Sequence, residues 1–370
     1  MNDATPARAH GDRPTAATGD RRTGVLVVGT HRSGTSAMTR MLSHLGCALP
    51  ATLLPGSPGN PTGHWESEPV TQLNDRLLAA FDLAWFDWAS LPADWPAGAV
   101  WHAFAPCARA TLGAEFGEAP LFVLKDPRLC RLLPGWRAVL ADAGVAARVV
   151  VPVRHPTEVA RSLEVRSGID RSAGYLLWLR DSLEAERQTR DMPRVFLGYD
   201  DLLADWRRAA ADAAQALDVR WPTDPESVAD DIDAFIAPAR CHHDADAQPP
   251  SADPAGFGWV DRVYDALRPA CGPSGRRPDP AALDAVRAEL DSAESVFARP
   301  VQSGQRGLIE AHELRQRVAE LTRHCGSLSE QLDNVYASTS WRVTRPLRTG
   351  TTVTRRLVRT AAALLTGRGD

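Results

Sequence analysis

Residues 25–36 read VLVVGTHRSGTS, and the fold turns on how this stretch is read. Val25–Gly29 (VLVVG) is short, apolar throughout and rich in β-branched residues. Apolar character without alternation predicts a strand buried on both faces, as in a parallel sheet. Beyond the turn Gly29–Ser36, residues Ala37, Met38, Met41, Leu42 and Leu45 mark one face of a helix over Ser36–Leu45. Leu121–Lys125 (LFVLK), Arg148–Val153 (RVVVPV) and Arg194–Tyr199 (RVFLGY) have the same strand-like character. Helical stretches separate them, over Pro69–Phe81, Ala105–Phe116, Pro134–Ala141 and residues 172–190. Strands alternating with helices predict an α/β fold, a parallel sheet flanked by helices. Ligands of such sheets bind beyond the C-terminal strand ends.

The chain of 370 residues is long enough for one substantial core with appendages. Its net charge of −4 argues against general nucleic-acid binding. Of the 42 basic residues, Lys125 is the sole lysine. The six cysteines are scattered without a Cys-x-x-Cys pair, which fits free thiols in a reducing compartment. Cys241-His242-His243 looks metal-like, but no second cluster completes a four-ligand set, and no metal is expected. Residues 1–22 lack an apolar core and read as a disordered leader. No apolar run approaches the length of a membrane span. A cytoplasmic protein is expected, in contact at most with the inner face of the membrane.

The chemistry of the Gly29–Ser36 loop is specific. Glycines at 29 and 34 let the backbone turn so that successive N–H groups point inward and form an anion-binding concavity. The following helix adds unpaired donors and a partial positive charge. Ser33, Thr35 and Ser36 supply hydroxyls, and Arg32 a guanidinium fork. The spacing mimics a Walker A loop, except that Thr35 stands where the lysine belongs. In place of that lysine the loop carries Arg32. A second motif follows the strand Arg148–Val153: Arg154 at its end, then His155-Pro156, with Ser162 in the next helix. Both should face the same sheet edge as the first loop.

These two motifs, in this order, resemble those of sulfotransferases that use the donor 3′-phosphoadenosine 5′-phosphosulfate (PAPS) and release 3′-phosphoadenosine 5′-phosphate (PAP). Residues 60–66 (NPTGHWE) with Leu73-Asn-Asp75, residues 125–128 (KDPR) and Tyr199-Asp-Asp-Leu-Leu203 extend the resemblance over about 23–245, toward bacterial carbohydrate sulfotransferases and their tyrosylprotein and Golgi relatives. It implies the sulfotransferase form of the P-loop-type sheet. By motif position, Gly29, Thr30, His31, Arg32, Ser33, Gly34, Thr35 and Ser36 would hold the 5′-phosphosulfate, with Arg32 acting catalytically on the charge of the transferring group. Arg154 and Ser162 would hold the 3′-phosphate. Tyrosylprotein relatives place a catalytic glutamate soon after the first helix, which points to Glu66 as base, with His64 as the alternative. Glu66 as a structural ion-pair or helix-capping residue stays open. So does Asp126, readable as a Walker B aspartate or as the partner of Arg128. Two other functions remain open: a P-loop kinase-like nucleotide-binding enzyme, and a non-catalytic assembly protein.

Beyond the expected sulfotransferase domain (23–300), Leu314, Val318, Leu321, Cys325, Leu328, Leu332 and Val335 alternate spacings of four and three, the seam of a short coiled coil over 305–340. A helix packed on its own domain is the alternative. Residues 341–370 form a basic amphipathic tail, with Arg342, Arg345, Arg348, Arg355, Arg356, Arg359 and Arg368 against one acid, Asp370. Such a tail suits an anionic membrane surface or an acidic partner, and a solvated, disordered segment equally; the seam suits a homo-oligomer. Residues 338–348 (STSWRVTRPLR) resemble an element at the end of surface-polysaccharide biosynthesis proteins. That resemblance implies a glycan or glycolipid acceptor.

Overall fold

The computed structural model describes residues 22–56, 63–236, 252–272, 275–345 and 348. In chain order the elements are β1 (Thr23–Val27), α1 (Thr35–His44), α2 (Glu68–Ala79), α3 (Ala99–Phe116), β2 (Leu121–Lys125), α4 (Leu129–Asp142), β3 (Ala146–Val153), α5 (Pro156–Ser167), α6 (Arg171–Gln188) and β4 (Arg194–Gly198). Then follow α7 (Tyr199–Ala204), α8 (Trp206–Leu217), α9 (Ala229–Ile236), α10 (Gly258–Leu267), α11 (Pro280–Ala337) and α12 (Thr339–Val343). The strands form one parallel sheet in the order β2-β1-β3-β4. A parallel sheet flanked by helices is therefore the fold, as the apolar runs predict.

Register puts four chain exits side by side. Val27 lies opposite both Lys125 and Val150, and Val153 lies opposite Gly198. The loop after β1, the Asp126 turn after β2, Arg154 after β3 and Tyr199 after β4 thus emerge at the same C-terminal edge. Alternate strand residues feed two cores. Leu26, Leu124, Val151 and Phe196 pack with α2–α6, α10 and the start of α11. Val25, Val123, Val150 and Leu197 pack with α1, α8 and α9. Beyond the stretch that carries the resemblance, Val260, Val263, Leu283, Val286 and Leu290 are buried on the first face.

Two helices begin earlier than the sequence suggests. Helix α3 starts at Ala99 and carries Pro106 inside; α4 starts at Leu129 and carries Pro134 inside. Proline is best tolerated in the first turn, so it reads as a start signal. Here other groups outweigh the lost backbone bond. The Asp126 carboxylate accepts from Arg128 N–H at 2.9 Å, and Leu129 N–H donates to the Asp126 carbonyl at 3.0 Å, so the chain turns before Pro134. Leu129, Cys130, Leu132 and Leu133 are then fully buried.

The chain divides into two compact units between Ile309 and Glu310. In the second, α11 runs on to Ala337, where Ser338 caps α12 by accepting from Trp341 N–H at 3.3 Å. Among the described residues no helix is long and apolar enough to cross a membrane, and no group of three or more His, Cys, Asp or Glu side chains could hold a metal. The leader through Arg21, residues 60–62 of the NPTGHWE motif, Cys241-His242-His243 and the tail from 349 lie outside the described residues.

Candidate functional site

The loop is built by backbone geometry before side chains enter. Val28 N–H donates to the Val150 carbonyl at 2.9 Å, which holds the loop's root in the sheet. Arg32 (φ 67°) and Gly34 (φ 92°) both adopt the left-handed region, which reverses the chain twice within three residues. Ser33 folds back, its N–H and Oγ both donating to the Thr30 carbonyl at 3.3 and 2.7 Å. Gly34 is required twice over: by its φ, and because a Cβ there would collide with the Tyr199 ring. Thr35 opens α1, whose first N–H groups have no carbonyl one turn behind them and face the sheet edge.

The two expected anion-binding motifs meet. Arg32 Nε donates to Ser162 Oγ at 2.8 Å, across 130 positions of sequence. Arg154 Nη1 donates to the Arg32 carbonyl at 3.0 Å, its Nε to Glu158 at 2.7 Å, and its guanidinium lies 4.4 Å over the Tyr199 ring. Ser162 accepts from Arg32 and so retains its own O–H to donate. Lys125, at the end of β2, completes the ring. Its Nζ donates to Glu66 Oε1 at 2.6 Å and to Ser36 Oγ at 3.3 Å, while Ser36 Oγ donates to the His64 carbonyl at 3.2 Å. The sole lysine, far from the loop in sequence, thus stands beside it in space. A lysine therefore serves the loop from β2, although none stands within it.

Several cationic side chains crowd this edge. Burial, then Arg166 and Arg154, lower the Arg32 guanidinium to about 10. Burial, then Arg166, Lys125 and Arg32, lower His64 to about 4. His31 is pushed well below its ordinary value by burial and by Arg128, Lys125, Arg166 and Arg131. Arg166 Nη2 lies 3.3 Å from His64 Nε2. A guanidinium only donates, so Nε2 accepts and the ring proton sits on Nδ1. Burial is the larger cause of each of these shifts; the neighbouring cations add to it, and clustered cations of this kind suit an anion.

Beneath this ring lies a satisfied acidic network. Asp126 is fully buried and accepts from Arg128 N–H, Arg128 Nη1 at 3.0 Å and Asn74 Nδ2 at 3.1 Å. Burial opposes its ionisation, but Arg128 and these hydrogen bonds hold it below the ordinary carboxylate range. Arg128 is also gripped in bidentate fashion by Asp75, at 2.6 and 2.9 Å. Asp126 therefore forms the internal pair with Arg128. The Thr71 hydroxyl stands between the two carboxylates, 3.5 Å from Glu66 Oε2 and 3.3 Å from Asp126 Oδ2. The cap of α2 is Ser67, which accepts from Val70 N–H at 3.2 Å, so Glu66 does not serve as cap. Trp65, at φ 58°, turns the chain between His64 and Glu66.

His31 faces another wall. Its ring lies 4.4 Å from that of Trp85, and its Nε2 is buried without a hydrogen-bond partner among the described residues. Arg131 pins that wall by donating to the Trp85 and Asp87 carbonyls at 3.0 and 2.8 Å. From α11, Gln302 donates to Asp87 at 3.0 Å.

All of Gly29–Ser36, His64, Glu66, Arg154 and Ser162 border one edge of the sheet. Arg166, Tyr199 and Trp85 join them without having been singled out for roles. Only Tyr199 carried a sequence signal, through its Tyr-Asp-Asp-Leu-Leu motif directly after a strand.

No protein-family model matches the chain, and no curated protein matches it. Among solved structures it is similar to the sulfotransferase domain of the Synechococcus PCC 7002 olefin synthase, at 15% identity and TM-score 0.35, covering 74% of this chain and 96% of that one. It is similar to sulfotransferase STF1 from Mycobacterium tuberculosis H37Rv, at 16% identity and TM-score 0.35, over 66% and 76% of the respective chains. The sulfotransferase domain from the curacin biosynthetic pathway matches at 14% identity and TM-score 0.33, over 73% and 98%. At such values the fold stands on the chain's own strand order, and its function on its own side chains.

Proposed function

We propose that the chain is a sulfotransferase that moves a sulfuryl group from PAPS to an acceptor hydroxyl, a sugar of a glycan or glycolipid. The observation that carries this reading is the junction of Arg32, Ser162 and Arg154. It joins a loop suited to a 5′-phosphate to a second cationic group suited to a further phosphate on the same nucleotide. A kinase substrate needs only the first. Arg32 and His64, lowered first by burial and then by neighbouring cations, are consistent with this reading, because an arriving anion relieves the second of those causes.

Roles follow from position. Thr35, Ser36 and the N–H groups opening α1 bind the 5′-phosphate. Arg154, kept in place by Glu158 and Tyr199, binds the 3′-phosphate with Ser162. Bound donor supplies an activated sulfuryl group on a good phosphate leaving group. Arg32 stabilises charge that develops on the oxygens around the transferring sulfur, and Lys125 supports it from the other side. Glu66 takes the acceptor's proton, oriented by Lys125 and Thr71. His64 is the alternative base; it must first release Nε2 from Arg166. Guanidinium and backbone donors supply the charge compensation, so no resident metal is part of this scheme.

The acceptor class rests on the resemblance of residues 338–348 to surface-polysaccharide proteins. A thermal-shift comparison of PAP with ATP–Mg tests the reading, because a ligand that binds only the folded state raises the melting temperature. Stabilisation by PAP is expected. Stabilisation by ATP–Mg and not by PAP sinks the proposal in favour of the kinase-like alternative.

A further inference from the structure

Helix α11 carries an apolar row in its second half that nothing in its own unit covers. Leu314, Leu321, Leu328 and Val335 fall at d positions of a heptad; Val318, Cys325 and Leu332 fall at a positions. The leucines and valines of this row are 47–61% exposed, and Cys325 is exposed too. Upstream the register meets Gly307 at d, Gly304 at a and Pro300 at d, so the row starts where the second unit starts. Downstream it stops where α11 ends at Ala337.

We propose that residues 310–337 form a parallel, in-register, two-stranded coiled coil with a second copy of this chain. Two observations point to that occupant. Leucine at three of the four d positions (Leu314, Leu321, Leu328), with β-branched Val318 at a, is the packing that favours two parallel strands; the last heptad, Leu332 at a and Val335 at d, departs from it. The flanking g and e′ positions agree. Glu310 faces Arg315 of the second copy, and the remaining pairs are Arg317 with Thr322, His324 with Ser329 and Gln331 with Tyr336. One pair attracts and none places like charges together. Glu310 and Arg315 are both exposed, and neither has an ion-pair partner among the described residues. In this arrangement the two Cys325 side chains face each other across the axis. The surface is independent of the transfer chemistry.

Sedimentation of the full chain over a micromolar range tests the proposal. A mass of two chains is expected. Leu321→Glu with Leu328→Glu should raise the dissociation constant more than about 100-fold, since two buried leucines per chain are lost. Every tryptophan except Trp341 precedes residue 310, so native tryptophan emission in this variant shows that the first unit is still folded. Orientation is read with a short bifunctional thiol reagent on Leu314→Cys in a Cys325→Ser background, with Cys325→Ser alone as control. Parallel strands bring the two position-314 thiols together; antiparallel strands hold them about 27 Å or more apart. Crosslinked dimer that depends on the 314 thiol supports the proposal. A one-chain mass throughout, a mass above two chains, or a dimer without that crosslink overturns it.

Discussion

Lys125 and Glu66 form a nearly dry ion pair, Nζ to Oε1 at 2.6 Å, with side chains 1% and 7% exposed, and the same ammonium reaches Ser36 at 3.3 Å. The pair fastens β2, the start of α2 and the N-terminus of α1 at one point. Its energetics give the first prediction. Lys125→Met strands a buried carboxylate and should cost about 3–5 kcal/mol in chemical denaturation. Lys125→Met combined with Glu66→Gln should recover part of that loss, because neither charge is then left alone. Additive losses would show that the two residues do not act as a pair.

Glu66→Gln tests the base. It keeps the size of the side chain and one acceptor oxygen for Lys125 but removes the carboxylate charge, so a loss of stability is expected beside the kinetic effect. PAP affinity should stay within a few-fold, while turnover should fall by about 10²–10⁴. Undiminished turnover would remove Glu66 as the base and bring His64 forward.

How much of this was open to a reader of the sequence depends on distance along the chain. Val25–Ser36 declared itself because strand, turn and helix start are contiguous. Strand β2 was legible over its whole length, Leu121–Lys125, since a short run of consecutive apolar residues carries its own signal. Prolines misled at 106 and 134, where burial and the Asp126 turn outweigh the local preference for a helix start. The Lys125–Glu66 pair spans 59 positions and the Arg166–His64 contact 102. Neither leaves a local pattern. Arg166 looked like any charged residue on a helix until α5 was packed beside the loop.

His64 offers a pH test. Its folded-state value of about 4 lies below the ordinary value of 6.5, through burial and then the surrounding cations. A depressed histidine contributes stability that is present above pH 6.5 and is lost as pH falls toward 4, where the unfolded chain binds the proton first. Buried Asp181, pushed up to about 6 by burial, works in the opposite direction over about pH 4–6, adding stability as pH falls. His64→Gln should therefore flatten the acid-side loss between pH 6.5 and 4. Titration of the His64 ring by NMR should give a value near 4 in the free protein and a higher one with PAP bound. A ring that titrates near 6.5 without ligand would contradict the cationic surroundings described for it.

Asp126→Ala probes the network under the site. It removes the acceptor of Arg128 Nη1 and of Asn74, leaving a buried guanidinium held by Asp75 alone. The expected cost is about 3–5 kcal/mol. Asp126→Asn keeps the shape and an acceptor oxygen and should cost less. Equal costs would mean that packing, and not charge, is what Asp126 provides.

Gly34→Ala tests the loop geometry. The left-handed φ adds about 1–2 kcal/mol of strain for a side chain, and the Tyr199 ring stands where the methyl would go. Lower melting temperature and weakened PAP binding are expected together. Pairing it with Tyr199→Ala should relieve the collision but not the strain, so recovery of the melting temperature should be partial, while PAP binding stays weakened because Tyr199 also holds Arg154. Full recovery would show that φ at this position is not limiting.

The claim that most needs testing is that Arg154 and Ser162 read a 3′-phosphate. Calorimetric titration of PAP and of 5′-AMP, in the unaltered protein and in Arg154→Ala, isolates that group, because the two ligands differ by the 3′-phosphate alone. A charge-assisted contact of about 1.5–3 kcal/mol predicts PAP tighter than AMP by about 10- to 100-fold. Arg154→Ala should collapse that ratio toward one, with a smaller loss for AMP than for PAP because Arg154 also holds the Arg32 carbonyl. Equal affinity for PAP and AMP in the unaltered protein, or equal losses for both in Arg154→Ala, would contradict the account.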